Sequence, residues 1–426
     1  MMKRLVLVLC VTQTLLSVSL AAQTGVSVLL AIKARRMFDG RSDTLRENVV
    51  VVVENGHIVS VGSTVPPNAK VIDLGDRTLL PGLIDCHTHI ALHSGDYDGQ
   101  ILRETPEFRT IVATINGRKT LDAGVTTIRD LGNEGAGYAD IALRDAVAKG
   151  LVDAPRIIAA IRPVTSTGGY RLTGYSPYNP MPPLSSPADG VGEVRREVRK
   201  LIADGADVIK IYMESYEKKQ THSDMLSGAE NYSQEEINAL VEEAHRGGAK
   251  VAAHTYSDAA AHMAIDGGVD SIEHGLYLKE DTFRLMAQKG IVYVPTLMVY
   301  EFWRDGVIFG TPDAATKARL TRTCNEHAAS FKRALSTSVK IAFGSDTFEK
   351  PGTNPIELEY MAKYGMRNAD VLRAATATAA ALVGVDAGTI EPGKLADLIA
   401  VDGNPLTDMK AIEKVTFVMR EGKQVR

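Results

Sequence analysis

Hydrophobic and polar positions follow two different rhythms along this chain. From Val28 to Leu80, short β-rich runs alternate with turn signals, as in "VSVLLAIKARRMFDG", "NVVVVVENGHIVSVG" and "KVIDLGDRTLLPG". Asn55-Gly56, between two valine-rich runs, has the composition of a tight hairpin turn. The last residues, "GKLADLIAVDGNPLTDMKAIEKVTFVMREGKQVR", repeat that texture. The two ends, 23–80 and 389–426, are therefore expected to build one small composite β-sandwich. Between them, over 81–388, short apolar runs alternate with helix-period segments. Candidate strands are "LIDCHTH", "GVTTIRD", "RIIAAI", "ADVIKIY", "KVAAHTY", "DSIEHG", "IVYVP" and "VKIAFGSD". Helical patterns such as "VGEVRREVRKLIADG" and "SQEEINALVEEAHRGG" lie between them, the second opening with Ser233 and Glu236 in capping-box spacing. Eight strand–helix units predict an α/β chain folded as a (β/α)8 TIM barrel. No dinucleotide fingerprint follows any strand, which argues against an open nucleotide-binding sheet.

Composition agrees with a large folded chain: 426 residues are 45% hydrophobic and 23% charged. Lys and Arg total 48 against 52 Asp and Glu, and no basic cluster stands out, so a small molecule rather than a nucleic acid is the expected partner. Residues 1–22 have Lys3 and Arg4 ahead of an apolar stretch and small residues at Ala21 and Ala22, the layout of a secretory signal peptide. Export to the periplasm or the medium is expected, with no later membrane span. Removing Lys3 and Arg4 changes the balance to 46 against 52, a net charge of −6. Cys10 would leave with the signal. A bridge between the remaining Cys86 and Cys324 is open in an oxidising compartment, but Cys86, inside a strand, reads as a packing residue.

The chemistry concentrates at strand ends. In a barrel the C-terminal ends of the strands converge on one face, and residues two apart on a strand share a side. His87 and His89 in "DCHTH" then point inward together. An HxH pair alone is a weak signal. Other ionisable residues recur at equivalent places: Lys210 in "VIKIY", His254 in "AAHTY", His274 in "SIEHG" and Asp346 in "FGSDT". A lysine within an apolar strand is especially informative, because burying an unpaired ammonium is costly. Imidazole nitrogens and carboxylate oxygens suit Zn²⁺, and two such ions close together can share a water-derived hydroxide. Four histidines and one aspartate leave two dications short of negative charge. A neutral Lys210 amine that reacts with CO₂ becomes a carbamate, which would act as a bridging carboxylate.

Across the chain after its first residues, "LPGLIDCHTH", "GVTTIRDLG", "GADVIKIY", "AAHTY", "SIEHG", "FGSDT" and "GTIEPGKLADLIAVDGNP" resemble the metal-dependent amidohydrolase superfamily. The similarity is to its imidazolonepropionase-like and Xaa-Pro dipeptidase-like branch, within it the bacterial amidohydrolases that hydrolyse ochratoxin A. The resemblance implies that His87, His89 and Asp346 hold one metal and His254 and His274 the other, with carbamylated Lys210 bridging them. It also implies hydrolysis of an amide by a metal-bridging hydroxide, Asp346 serving as both ligand and proton shuttle. Asp130 in "TIRDLG" reads as structural, by a salt bridge with Arg129 or otherwise, with support of a histidine as the alternative.

Substrate choice is expected in the strand–helix loops. The long "PVTSTGGYRLTGYSPYNPMPP" segment supplies Tyr170, Arg171, Tyr175 and Tyr178. Tyr212, two residues past Lys210, is similar to the tyrosine that contacts a substrate carboxylate in the dipeptidase-like proteins, and Arg171 is a further carboxylate contact. His93 is a possible pocket residue. A loop "TLMVYEFWRDGVIFG" brings Met298, Tyr300, Phe302 and Trp303 together as an aromatic wall or as an oligomer interface. The expected substrate is an amide with a free carboxylate, and a homo-oligomer is expected. Opening of a cyclic amide, as in imidazolonepropionase, and a non-catalytic scaffold role are the alternatives.

Overall fold

In the computed structural model of the protein, which describes residues 29–176, 178–215, 226 and 228–426, both chain ends enter one sheet. The proposed signal segment lies outside the described residues. Asn55 and Gly56 both adopt positive φ (50° and 81°), the backbone a two-residue hairpin requires, and they join strands Arg46–Glu54 and His57–Gly62. Arg77–Pro81 pairs antiparallel with Leu398–Asp402, and Val415–Arg420 follows, so the C-terminal strands complete the N-terminal ones. The sheet curls until His57 bridges Leu395. Ile32, Val51, Leu79, Leu398 and Phe417 then share one core.

The middle of the chain is a (β/α)8 barrel. Leu83–Thr88, Val125–Asp130 and Arg156–Ala159 pair in parallel, as do Val208–Tyr212, Lys250–Thr255, Ser271–His274 and Val292–Val294. The third and fourth strands meet where the Asp207 N–H donates to the Ala159 carbonyl at 2.8 Å. The eighth position is filled by an extended segment rather than a regular strand. It bridges Tyr293 through Ile341 and Thr88 through Thr347, and the Cys86 N–H donates to the Phe343 carbonyl at 2.8 Å. The predicted helices Gly190–Ala203 and Gln234–Arg246 pack outside, and Ser233 and Glu236 form the reciprocal capping box. Cys86 and Cys324 are both buried and free.

Candidate active site

His87 is the penultimate residue of the first barrel strand, and His89 lies just past the strand's end, both nearly inaccessible. Asp346 is brought against them by Asp85. The buried Asp85 carboxylate accepts the Ser345 N–H (2.9 Å), the His87 N–H (3.1 Å) and Asn354 Nδ2 (2.9 Å), which ties the eighth segment to the first strand. Burial pushes this carboxyl up to about 6, against the pull of those hydrogen bonds.

The ring nitrogens of three histidines are committed on one side. His87 Nδ1 lies 2.8 Å from Glu273 Oε2, His89 Nδ1 2.8 Å from the Gly132 carbonyl, and His274 Nδ1 2.8 Å from Thr296 Oγ1. For His87 and His89 this places the proton on Nδ1 and turns the Nε2 lone pairs toward Asp346. Asp346 Oδ1 is 3.3 Å from His89 Nε2 and 3.6 Å from His87 Nε2, yet it is buried and makes no hydrogen bond. The donor atoms of His87, His89 and Asp346 all lie within 4.8 Å of one another. Lone pairs and a carboxylate facing one another repel unless a cation lies between them, so this donor set fits a divalent metal. The same position attracts a proton when no metal is bound: burial depresses the His89 ring, but the nearby Asp346 and Glu134 carboxylates outweigh it and lift its pKa to about 9, so a metal ion would replace that proton on Nε2.

Lys210 lies on the fourth strand with no exposed surface, its Nζ 3.5 Å from His87 Nε2. Burial pulls its ammonium down to about 8. His254 and His274 are held well below the ordinary imidazole value, first by burial and then by neighbouring cations, Lys210 among them. Their rings are 4.4 Å apart, and Tyr212 stacks on His254 at 4.2 Å. His274, Thr296 and Asp346 have φ of 68°, 52° and 51°, a left-handed backbone that is uncommon outside glycine and concentrates at functional sites.

His87, His89, His254, His274 and Asp346 floor a cavity of about 260 Å³. Tyr170, Arg171, Tyr212 and Trp303 line it as expected for substrate contacts, but two other expected residues do not. His93 turns away, with Nε2 3.0 Å from Glu104 and Nδ1 2.9 Å from the Ser94 carbonyl. Met298 sits in a helix, Leu297–Arg304, where a loop was expected. Tyr300 and Trp303, three residues apart, share the cavity face of that helix, while Met298 is about 200° around from Tyr300 and buried. Arg129 pairs with Glu273 at 2.8 Å and not with Asp130, because adjacent strand residues point to opposite faces. Asp130 instead accepts the Ile90 N–H at 2.6 Å.

Sequence reasoning missed Glu273, Glu134 and part of the aromatic wall. Glu273 was visible as a carboxylate inside an apolar strand next to His274. Glu134 lies in the Gly-rich "DLGNEGAG" segment after the second strand, fully buried, and its Oε2 accepts from Tyr97 (2.6 Å) and Tyr170 (2.8 Å). Tyr97, Phe309 and Phe348 carry no local pattern that marks them as lining residues.

The family model described as "Amidohydrolase family" matches residues 78–425. The chain belongs to the amidohydrolase family. It is similar to the ochratoxinase of Aspergillus niger, at 31% identity over 440 aligned positions that cover 94% of this chain and 88% of that protein. A solved Xaa-Pro dipeptidase with bound methionine in its active site is 31% identical, with a TM-score of 0.84 over 93% of this chain and all of that one. The imidazolonepropionase of Sphingopyxis alaskensis is 25% identical over 407 positions, covering 85% of this chain and 88% of that protein. This amidohydrolase is thus a metal-dependent hydrolase of C–N amide bonds, and its relatives act on small-molecule amides.

Proposed function

We propose that the protein is a binuclear zinc hydrolase of N-acyl amino acids or dipeptides, with ochratoxin A, cleaved to ochratoxin alpha and phenylalanine, within its range. The observation that carries this reading is the convergence of His87, His89, Asp346, Lys210, His254 and His274 beneath one aromatic-walled cavity. His87, His89 and Asp346 would hold one ion, His254 and His274 the other, and Lys210, as a carbamate, would bridge them. The metals would supply Lewis acidity toward the amide carbonyl and a water acidic enough to act at neutral pH.

Asp346 takes the proton of the attacking water and gives it to the departing amine nitrogen, with Oδ1 facing the metal position between His87 and His89 and the other carboxylate oxygen left for the proton. Glu273 and the Gly132 carbonyl keep His87 and His89 in the tautomer that leaves Nε2 free for metal. Tyr212 and Arg171 hold the substrate carboxylate, Arg171 by a charge-assisted contact. Ochratoxinase and Xaa-Pro dipeptidase, as named relatives, both favour a substrate of this kind.

The test is hydrolysis of a panel of N-acyl amino acids, X-Pro dipeptides, ochratoxin A and an imidazolone, with metal counted on wild type and Asp346→Asn. About two zinc ions per chain, turnover of acyl-phenylalanine substrates and a loss of about a thousandfold or more in the variant are expected. Turnover of the imidazolone alone would move the protein to cyclic-amide hydrolysis. Metal without any turnover rejects the substrate class, and absence of metal rejects the mechanism.

A further inference from the structure

Phe309 lies at the cavity rim with φ of 57°, in the left-handed region where a bulky aromatic residue is a genuine outlier. Such a backbone persists only where the surroundings hold it. The surroundings here are Glu349. Its buried carboxylate accepts the Phe309 N–H at 3.4 Å and also the Gly95 N–H, and its carbonyl accepts the Ser94 hydroxyl. One residue thereby joins the loops that follow the first, seventh and eighth barrel strands.

The Phe309 ring packs edge-on against Trp303 (5.6 Å), Tyr97 (5.8 Å) and Phe348 (5.5 Å), and Phe348 lies 4.7 Å from the His89 ring. Although it makes these contacts, Phe309 stays 37% exposed. The Tyr97 hydroxyl is already spent on Glu134, so it offers no free donor from this wall. The lining continues through Tyr170, whose hydroxyl lies 3.0 Å from that of Tyr97, and through Tyr212 and Arg171, the last being the one arginine or lysine among the described lining residues. The lining is therefore apolar and aromatic around Phe309 and carries its cation at Arg171.

We propose that Phe309 is a specificity-determining residue that receives an aromatic acyl group of the substrate, and that Glu349 is the positioning residue that keeps its ring in the cavity. The substrate amide then lies across the floor, with its carboxylate directed toward Arg171. The assignment rests on the amide-hydrolase reading only for which bond is cleaved.

The test compares N-(4-nitrobenzoyl)-phenylalanine with N-acetyl-phenylalanine on the metal-loaded full chain, in wild type, Phe309→Gly, Phe309→Leu, Glu349→Ala and Glu349→Gln. Glycine adopts the left-handed backbone freely, so Phe309→Gly removes the ring without adding strain. The ratio of kcat/KM, nitrobenzoyl over acetyl, is expected to fall about tenfold in Phe309→Gly, mainly through KM, and less in Phe309→Leu. It should fall in Glu349→Ala and be retained in Glu349→Gln, whose amide oxygen still accepts the Phe309 N–H.

Trp303 is the only tryptophan, so quenching of its fluorescence by 4-nitrobenzoate reads the same wall without catalysis. Saturable quenching that weakens about tenfold in Phe309→Gly supports the proposal even if neither amide is turned over, a result that would overturn the amide-hydrolase reading alone. An unchanged ratio in Phe309→Gly, or nitrobenzoate quenching that this variant leaves intact, overturns the assignment of Phe309. Equal ratios in Glu349→Ala and wild type overturn the role of Glu349.

Discussion

His87 and His89 sit among the buried carboxylates Glu273, Asp346 and Glu134, whereas His254 and His274 are packed against aromatic rings with the cation of Lys210 acting on both. The difference shows in one ring only. Carboxylates lift His89 to about 9 against the opposing effect of burial, while His87, like His254 and His274, is held well below the ordinary imidazole value by burial first and by Lys210 among its neighbours. Buried carboxylates thus stand beside the first half. In the proposed two-metal site the second half would need negative charge, which a carbamate on Lys210, buried and brought down to about 8, would provide.

The strongest way to break this comparison is Lys210→Ala. Zinc is expected to fall from about two ions to about one per chain, and kcat/KM by about a thousandfold, with partial return on adding a short carboxylic acid such as propionate. A carbamate carbon resonance from labelled bicarbonate should be present in the wild type and lost in the variant. Retention of two zinc ions and full activity would show that the second half needs no added charge.

Next in size is Glu273→Gln. It removes the carboxylate behind His87 and leaves the buried Arg129 without its ion-pair partner. Zinc affinity at the first half should drop about 10- to 100-fold, and unfolding in urea should report a loss of about 3 kcal/mol. The smallest expected effect is that of Thr296→Val, which takes the neutral hydroxyl from His274 Nδ1. Zinc affinity at the second half should fall about threefold, the scale of one neutral hydrogen bond. Equal losses in the two variants, measured by competition with a chromogenic chelator, would deny that charge distinguishes the halves.

Much of this was legible along the chain because strand periodicity and barrel geometry are local rules. The eight apolar runs coincide with the eight barrel positions, although the last, around Ile341 to Thr347, closes the barrel by bridges instead of a regular ladder. The Asn55-Gly56 turn and the Ser233–Glu236 capping box were equally local. The Leu297–Arg304 helix was not, because Leu297, Met298, Val299 and Tyr300 are all buried in succession and leave no polar face to betray its period. Arg129 and Asp130 looked like partners through adjacency, which on a strand sends them to opposite sides.

The sequence by itself determined the residue types at the strand ends and therefore the chemistry the barrel mouth can host, since a period of two residues fixes which side chains point inward. Only the tertiary structure decided which group stands behind each of them. Glu273 reaches His87 across 186 positions, Asp85 holds Asp346's segment from 260 positions away, and Glu349 fixes the backbone of Phe309. Those contacts come from closure of the barrel and the meeting of its loops, and no local alternation of polar and apolar residues encodes them.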